Sequence, residues 1–180
     1  MHKNIKILLS ASILIHSGTN LLAPVFAIYV KDIGGTMVDA GIAVGIYAIL
    51  KGALYFIFNK VSKDKISHKV MISVGYFIMC FGYVLYLFAY HPFHIYFIQA
   101  VLSIGETVIT PSWSSIIAVS LEKGKERHIY SHFYGYRSFF EGLAAIAGGL
   151  FAVEFGFNMV FFVMAVLALT SSAISLFLKE

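Results

Sequence analysis

Residues 70–90 read VMISVGYFIMCFGYVLYLFAY and contain no aspartate, glutamate, lysine or arginine. An α-helix needs about 20 apolar residues to cross the hydrocarbon layer, because every backbone donor and acceptor must be paired within the segment there. This stretch is long enough for one crossing, and it therefore predicts a membrane-spanning helix.

The same pattern recurs along the whole chain of 180 residues. Hydrophobic residues make up 59% of it and charged residues 12%, whereas soluble domains carry about a quarter charged residues. The apolar runs are continuous, unlike the alternating strands of an outer-membrane barrel. We expect an all-α membrane protein whose single domain, residues 1–180, holds six transmembrane helices. Their approximate bounds are 5–29, 37–58, 70–90, 93–119, 129–153 and 157–178.

The positive charges fall mostly on one side of a six-span arrangement. Lys31 lies alone on the other side, and Lys51 and Arg137 lie within spans. Cytoplasmic loops are enriched in lysine and arginine, so we expect a multi-pass protein of the cytoplasmic (inner) membrane with both termini in the cytoplasm. The net charge of +4 is then expected to contact anionic lipid, and no nucleic-acid partner is expected. The residues on the cytoplasmic side are Lys3, Lys6, Lys60, Lys63, Lys65, Lys69, Lys123, Lys125, Arg127 and Lys179.

Polar residues within the spans recur at helical spacing. A charged side chain at the centre of a span costs roughly 2.5–3.5 kcal/mol on insertion scales, so its position is informative. The repeats place polar groups on one face of the first, second, fourth and fifth spans, whereas the interiors of the third and sixth carry no charge. We expect a polar cavity that binds substrate or couples protons, lined by His16, Asn20, Lys51, Gln99, Glu106, Arg137 and Glu141.

Each of these residues also has a purely structural interpretation. Arg137 and Glu141 are four residues apart and could form an ion pair that only lowers the insertion cost. Glu106 has no partner on its own helix; it could carry a proton or remain a neutral hydrogen-bonding acid. Lys51 could extend towards the cytoplasmic surface, and His16 could be a buried structural histidine.

The loop after the second span resembles a signature of the major facilitator superfamily. It reads NKVSKDKISHK from residue 59 to residue 69, similar to the family's Gly-x-Leu-Ser/Ala-Asp-Arg/Lys-x-Gly-Arg/Lys-Arg/Lys. The segment from Asp64 to Lys69 fits the second part of the signature, whereas Asn59 replaces its glycine and Lys63 is an apparent insertion. The resemblance implies a cytoplasmic latch between two six-helix halves, formed by Asn59, Asp64, Lys65, His68 and Lys69.

Later segments resemble the same family in the same order. Gln99 stands twelve residues before Pro111, where proton-coupled antiporters of the family carry an arginine; this leaves plain facilitated diffusion open. A charged loop follows at residues 122–127. Residues 144–149 resemble a degenerate form of the family's fifth-helix signature, and residues 155–157 resemble the turn before the sixth helix. The resemblance implies that spans one, two, four and five face a central cavity and that three and six lie outside it.

Six spans correspond to one half of such a transporter. We expect a small-molecule transporter that works as a parallel homodimer of six-helix halves by alternating access, with proton coupling left open. The alternative is a non-transporting or incomplete subunit that pairs with a different six-span chain. We find no sequence motif of an intramembrane enzyme, so no enzymatic activity, cofactor or metal site is expected.

Overall fold

The computed structural model describes residues 3–61, 66–121, 124 and 126–178, and for residues 58–61 it describes the backbone only. All regular secondary structure in these residues is helical. Six of the helices are long and apolar enough to cross a membrane. The expected all-α membrane fold with six spans is therefore confirmed.

The first span, Lys3–Asp32, is interrupted. Its helix Lys3–Leu22 is followed by a 3₁₀ turn, Ala23–Val25, and a short helix, Phe26–Asp32. Pro24 lies in the turn, where its missing N–H prevents a continuous α-helical ladder. The remaining spans are Met37–Val61, His68–Tyr86, Pro92–Ser120, Glu126–Phe155 and Phe157–Ser175.

The start of the second span is fixed by a reciprocal cap. The Asp39 carboxylate accepts hydrogen bonds from the backbone N–H of Thr36 at 2.7 Å and from its hydroxyl at 2.6 Å. The Tyr96 hydroxyl, on the fourth span, donates to the other Asp39 oxygen at 2.5 Å. Asp39 therefore caps its own helix, as a carboxylate near a helix N-terminus does, and also connects the second span to the fourth.

The spans pack in a fixed order. The second span packs on the fourth, the fourth on the third, the third on the sixth, the sixth on the first and the first on the fifth. If the first, second and third spans are exchanged for the fourth, fifth and sixth, the same pairs of neighbouring spans are obtained. The bundle therefore consists of two three-span units in equivalent surroundings.

Small polar side chains join the two units at the centre of the bundle. The hydroxyls of Ser73 and Ser172 lie 2.9 Å apart, and the Ser172 hydroxyl also lies 2.8 Å from the Ser73 carbonyl. The Ser171 hydroxyl donates to the Ala11 carbonyl at 3.0 Å. Such bonds between helices are favourable in a membrane because water offers no competing partner. They hold the third, sixth and first spans as one block.

Burial differs sharply between the spans. Half of the third span's apolar window is buried (50%), compared with 11% for the second span and 6% for the fifth. The second and fifth spans stand at the two ends of the packing order, and each packs extensively on one other span only. They form the two edges of the bundle.

Candidate functional site

One charge pair connects the second span to the fourth. Nζ of Lys51 lies 2.5 Å from Oε1 of Glu106, with about a quarter of each side chain exposed. The Lys51 ammonium also lies 5.4 Å from the centre of the Tyr47 ring, within range of a cation–π contact. Lys51 therefore does not extend to the surface, and the partner that Glu106 lacks on its own helix comes from the second span.

A second charge cluster connects the fifth span to the first. Nε of Arg137 donates to Oε1 of Glu141 at 2.7 Å, and Nδ1 of His16 lies 3.8 Å from the same oxygen. The Arg137 guanidinium also lies 5.9 Å from the Tyr134 ring centre. The ion pair expected from the four-residue spacing is present, and His16 lies close enough to join it when protonated.

The two clusters occupy equivalent places in the two three-span units. Lys51–Glu106 joins an edge span to the fourth span, and Arg137–Glu141 with His16 joins the other edge span to the first. Under the exchange of units, the fourth span, which carries Glu106, takes the place of the first span, which carries His16. The second span, which carries Lys51, takes the place of the fifth, which carries Arg137 and Glu141. Each edge span is thus held to its neighbouring span by charge as well as by packing.

A polar cavity of about 460 Å³ lies between these clusters. Glu106, His16 and Arg137 all contribute to its wall. The wall also carries seven aromatic or hydroxyl side chains of five spans, namely Thr19, Tyr47, Tyr76, Thr110, Trp113, Ser114 and Tyr134.

A second cavity, of about 290 Å³, is largely aromatic and apolar. It lies nearer the bundle end at which the first span stops, since Phe26, Tyr86 and Gln99 line it. Glu106 is the one charged residue among its described lining residues. Because Glu106 also lines the polar cavity, its carboxyl group lies between the two.

The third span contributes more than the resemblance implies. Tyr76 and Met79 line the polar cavity, and Met79, Tyr83 and Tyr86 line the aromatic one. The third span therefore does not lie wholly outside the cavity region. Positions 76, 79, 83 and 86 share one helical face, and this spacing is a signal in the sequence that the charge-based search passed over.

Two further candidates, Asn20 and Gln99, make hydrogen bonds within the bundle. The Asn20 side-chain amide donates to the His16 carbonyl of its own helix at 2.9 Å. The Gln99 amide donates to the Tyr86 hydroxyl at 3.3 Å and lines the aromatic cavity. Trp113, for which membrane-interface anchoring is the default expectation, lies in the polar cavity wall with its ring centre 5.1 Å from that of Phe133.

The proposed latch is described only in part. Asp64 and Lys65 lie outside the described residues, and the side chain of Asn59 is not described. His68 and Lys69 form the first turn of the third span. Their positions place this end of the motif at the same end of the bundle as Lys3.

The arrangement favours ligand binding and proton or ion exchange. Glu106, His16 and Arg137 line a cavity with aromatic and hydroxyl walls, and Lys51 and Glu141 are the ion-pair partners of Glu106 and Arg137. This is the composition of a polar ligand site. In the described residues no group of three or more His, Cys, Asp or Glu could hold a metal ion.

Comparison with known proteins gives a match to one family model and no match among curated proteins. The family model described as Major Facilitator Superfamily matches residues 8–180. No curated protein matches the chain. The match covers all six spans apart from the first turns of the first helix, and it agrees with the resemblance that the loop motifs carry.

Proposed function

Since the chain belongs to the Major Facilitator Superfamily and is a transporter of that type, we propose that it moves a small molecule as a parallel homodimer of six-helix bundles. The observation that carries the proposal is the position of the charged cavity between the two least buried spans. Ionisable groups within a membrane are expected to face protein or water instead of lipid. A second bundle placed against the second and fifth spans would provide that environment.

Small residues on both edge spans support a close contact there. The fifth span carries Ser131, Gly135, Ser138, Gly142, Ala145 and Gly149, and the second span carries Gly41, Gly45, Ala48 and Gly52. The separations alternate between four and three residues, so each set forms one stripe along its helix. A side chain added at any of these glycines would meet nothing within 4 Å. Such stripes allow helix backbones to approach closely in membranes.

The two stripes match each other as partners. In the proposed dimer, the second span of one copy packs along the fifth span of the other, and a two-fold axis along the membrane normal repeats this contact. Parallel repeats about such an axis are the arrangement of the two halves in this family. A closed two-fold dimer is also the commonest oligomer. The one-sided lysine distribution requires the copies to be parallel and favours termini in the cytoplasm.

Transport in this arrangement proceeds by rocking of the two bundles around the shared cavity. The Ser-linked block of the third, sixth and first spans would move as a unit. Glu106 is the proposed proton-coupling group, because it is the carboxyl group that faces both cavities. A symmetric dimer would contain two copies of Glu106, whose titrations would be coupled if the carboxyl groups come close.

Particle mass and flux together test the assembly. The purified chain is reconstituted in lipid nanodiscs at several protein-to-lipid ratios, and the copies per particle are counted by native mass spectrometry. Two copies, together with solute flux in proteoliposomes that contain this chain alone, would support the self-paired transporter. A single copy at every ratio and no flux would instead favour a subunit that pairs with a different six-span chain.

Proton coupling has its own test. Glu106→Gln should abolish the solute-dependent pH change inside proteoliposomes while the particle mass stays that of the wild type. Glu154→Gln, which removes an exposed acid near the end of the fifth span, should leave the pH change intact. Unaltered proton flux in Glu106→Gln would remove Glu106 from the coupling mechanism.

A further inference from the structure

We infer that the aromatic cavity beside Glu106 binds an aromatic organic cation, whose ammonium group takes the place of the Lys51 ammonium at the Glu106 carboxylate. The inference rests on the proposed function and deepens it, because it names a substrate class for the same site.

The lining of the cavity selects for an apolar body with one positive charge. Tyr47, Tyr83, Tyr86 and Phe26 provide aromatic side chains, and Glu106 provides the one charge among the described lining residues. Aromatic faces attract cations through the ring quadrupole, most strongly where water is excluded, and they are the usual receptors for quaternary ammonium groups. An anion would find no free cation among the described lining residues, because the nearest ammonium, that of Lys51, is already bound to Glu106.

The position of the cationic group is already occupied by a side chain. Nζ of Lys51 lies 2.5 Å from Oε1 of Glu106 and 5.4 Å from the Tyr47 ring centre. Lys51 thus makes the two contacts that a ligand ammonium would make. Lysine has a flexible four-carbon stem, so a ligand ammonium can displace the Lys51 ammonium from Glu106 without a change in the backbone.

The other basic side chains near Glu106 are less easily displaced by a ligand. Arg137 lines the polar cavity but is bound to Glu141 through a 2.7 Å hydrogen bond. His16 lies against the same Glu141 oxygen. Competition at Glu106 therefore involves the ligand and Lys51, with the second cluster unchanged.

The volume limits the size of the ligand. A cavity of about 290 Å³ lies at the small end of ligand pockets, which are about 300–1,000 Å³. It suits a single aromatic ring with a small ammonium head. Benzyltrimethylammonium has this shape and a permanent charge, so its binding does not depend on its own protonation.

Calorimetric titration of the nanodisc-embedded protein with benzyltrimethylammonium tests the inference. We expect saturable binding by the wild type, binding weakened by about tenfold or more in Glu106→Gln, and binding tightened by about tenfold in Lys51→Met, because the competing ammonium is gone. Glu154→Gln, which removes an acid remote from the cavity, should bind like the wild type. Phenylacetate and benzyl alcohol, an anion and a neutral molecule with the same ring, should bind at least about tenfold more weakly.

Two results would overturn the inference. One is the absence of saturable binding in both the wild type and Lys51→Met, which keeps the test meaningful even if Glu106→Gln fails to fold. The other is equal binding of the cation, the anion and the neutral compound. Flux of another solute by a dimer that ignores the cation would leave the proposed function standing and reject this inference alone. Cation binding by a particle without flux would support the inference and count against the transporter.

Discussion

The Lys51 ammonium and the Glu106 carboxylate, 55 positions apart in the chain, lie 2.5 Å from each other and join an edge of the bundle to its centre. Their contact brings together two residues for which the sequence left alternatives open, and one of them, Glu106, lines both cavities.

The losses of unfolding free energy caused by removing Lys51 and Glu106 should not add, because either single change leaves the other charge unpaired. Lys51→Met leaves the Glu106 carboxylate without its cation, and Glu106→Gln leaves the ammonium without its anion. Because about a quarter of each side chain is exposed, we expect each single change to lower the free energy of unfolding by ~1–3 kcal/mol, less than for a fully buried pair. The double variant should lose less than the sum, with a coupling of ~1–3 kcal/mol. Denaturant titration in mixed micelles measures these values, and strictly additive losses would contradict the pairing.

In the second cluster, removal of Glu141 should lower the free energy of unfolding more than removal of His16. Glu141→Gln removes the carboxylate bound at 2.7 Å by Arg137 and should cost ~1–3 kcal/mol of unfolding free energy. His16→Gln removes a contact at 3.8 Å and leaves the Arg137–Glu141 pair in place, so a loss below ~1 kcal/mol is expected. The same denaturant titration compares them. A larger loss for His16→Gln would show that the histidine, and not the arginine, is the main partner of Glu141.

The glycine stripes predict a size limit at the proposed dimer contact. Gly45→Leu and Gly142→Leu should shift the monomer–dimer equilibrium in nanodiscs towards monomer by at least about tenfold, because the added side chain separates the two backbones. Alanine at either position is small enough to be tolerated. Val74→Leu enlarges an exposed residue of the third span and serves as the control. Equal dimer content in all variants would place the contact elsewhere.

Two adjacent glycines of the fifth span should respond differently to alanine. A Cβ at Gly148 would overlap the backbone carbonyl of Leu21, whereas a Cβ at Gly149 would meet nothing within 4 Å. Gly148→Ala should therefore lower the free energy of unfolding by ~1–3 kcal/mol, since the first and fifth spans must move apart. Gly149→Ala should be neutral or raise it by up to ~1 kcal/mol through helix propensity. Denaturant titration of the single bundle in detergent decides between them, and equal losses would contradict the close approach at Gly148.

The helical class and the membrane location could be predicted because they depend on chemistry along a single segment. The charge-free run at residues 70–90 predicts a spanning helix, and the polar spacing in the fourth span places Glu106 on one face. The ion pair of Arg137 with Glu141 is also local, being one helical turn long. Each of these features depends only on residues that are neighbours on one helix.

Features formed between helices could not be derived in the same way. The Lys51–Glu106 contact and the Tyr96–Asp39 bond depend on which spans are neighbours and on their relative height, and no pattern within one span specifies either. The role of the third span was missed for a related reason. Its tyrosines carry no charge, so a search for charged groups left Tyr76, Tyr83 and Tyr86 among the aromatic residues that fill any membrane core.

The position of Glu106 in the walls of both cavities has a consequence for electrical insulation. If the polar cavity and the aromatic cavity both filled with water, protons and inorganic cations could pass between them beside Glu106, and a membrane potential of 100 mV would drive each such charge with about 2.3 kcal/mol. At the meeting point the carboxylate is neutralised by an ammonium that is tethered to the protein and cannot leave with the current. In the proposed transporter, we therefore expect the covalently attached Lys51 ammonium also to limit ion leak past Glu106 while no ligand is bound.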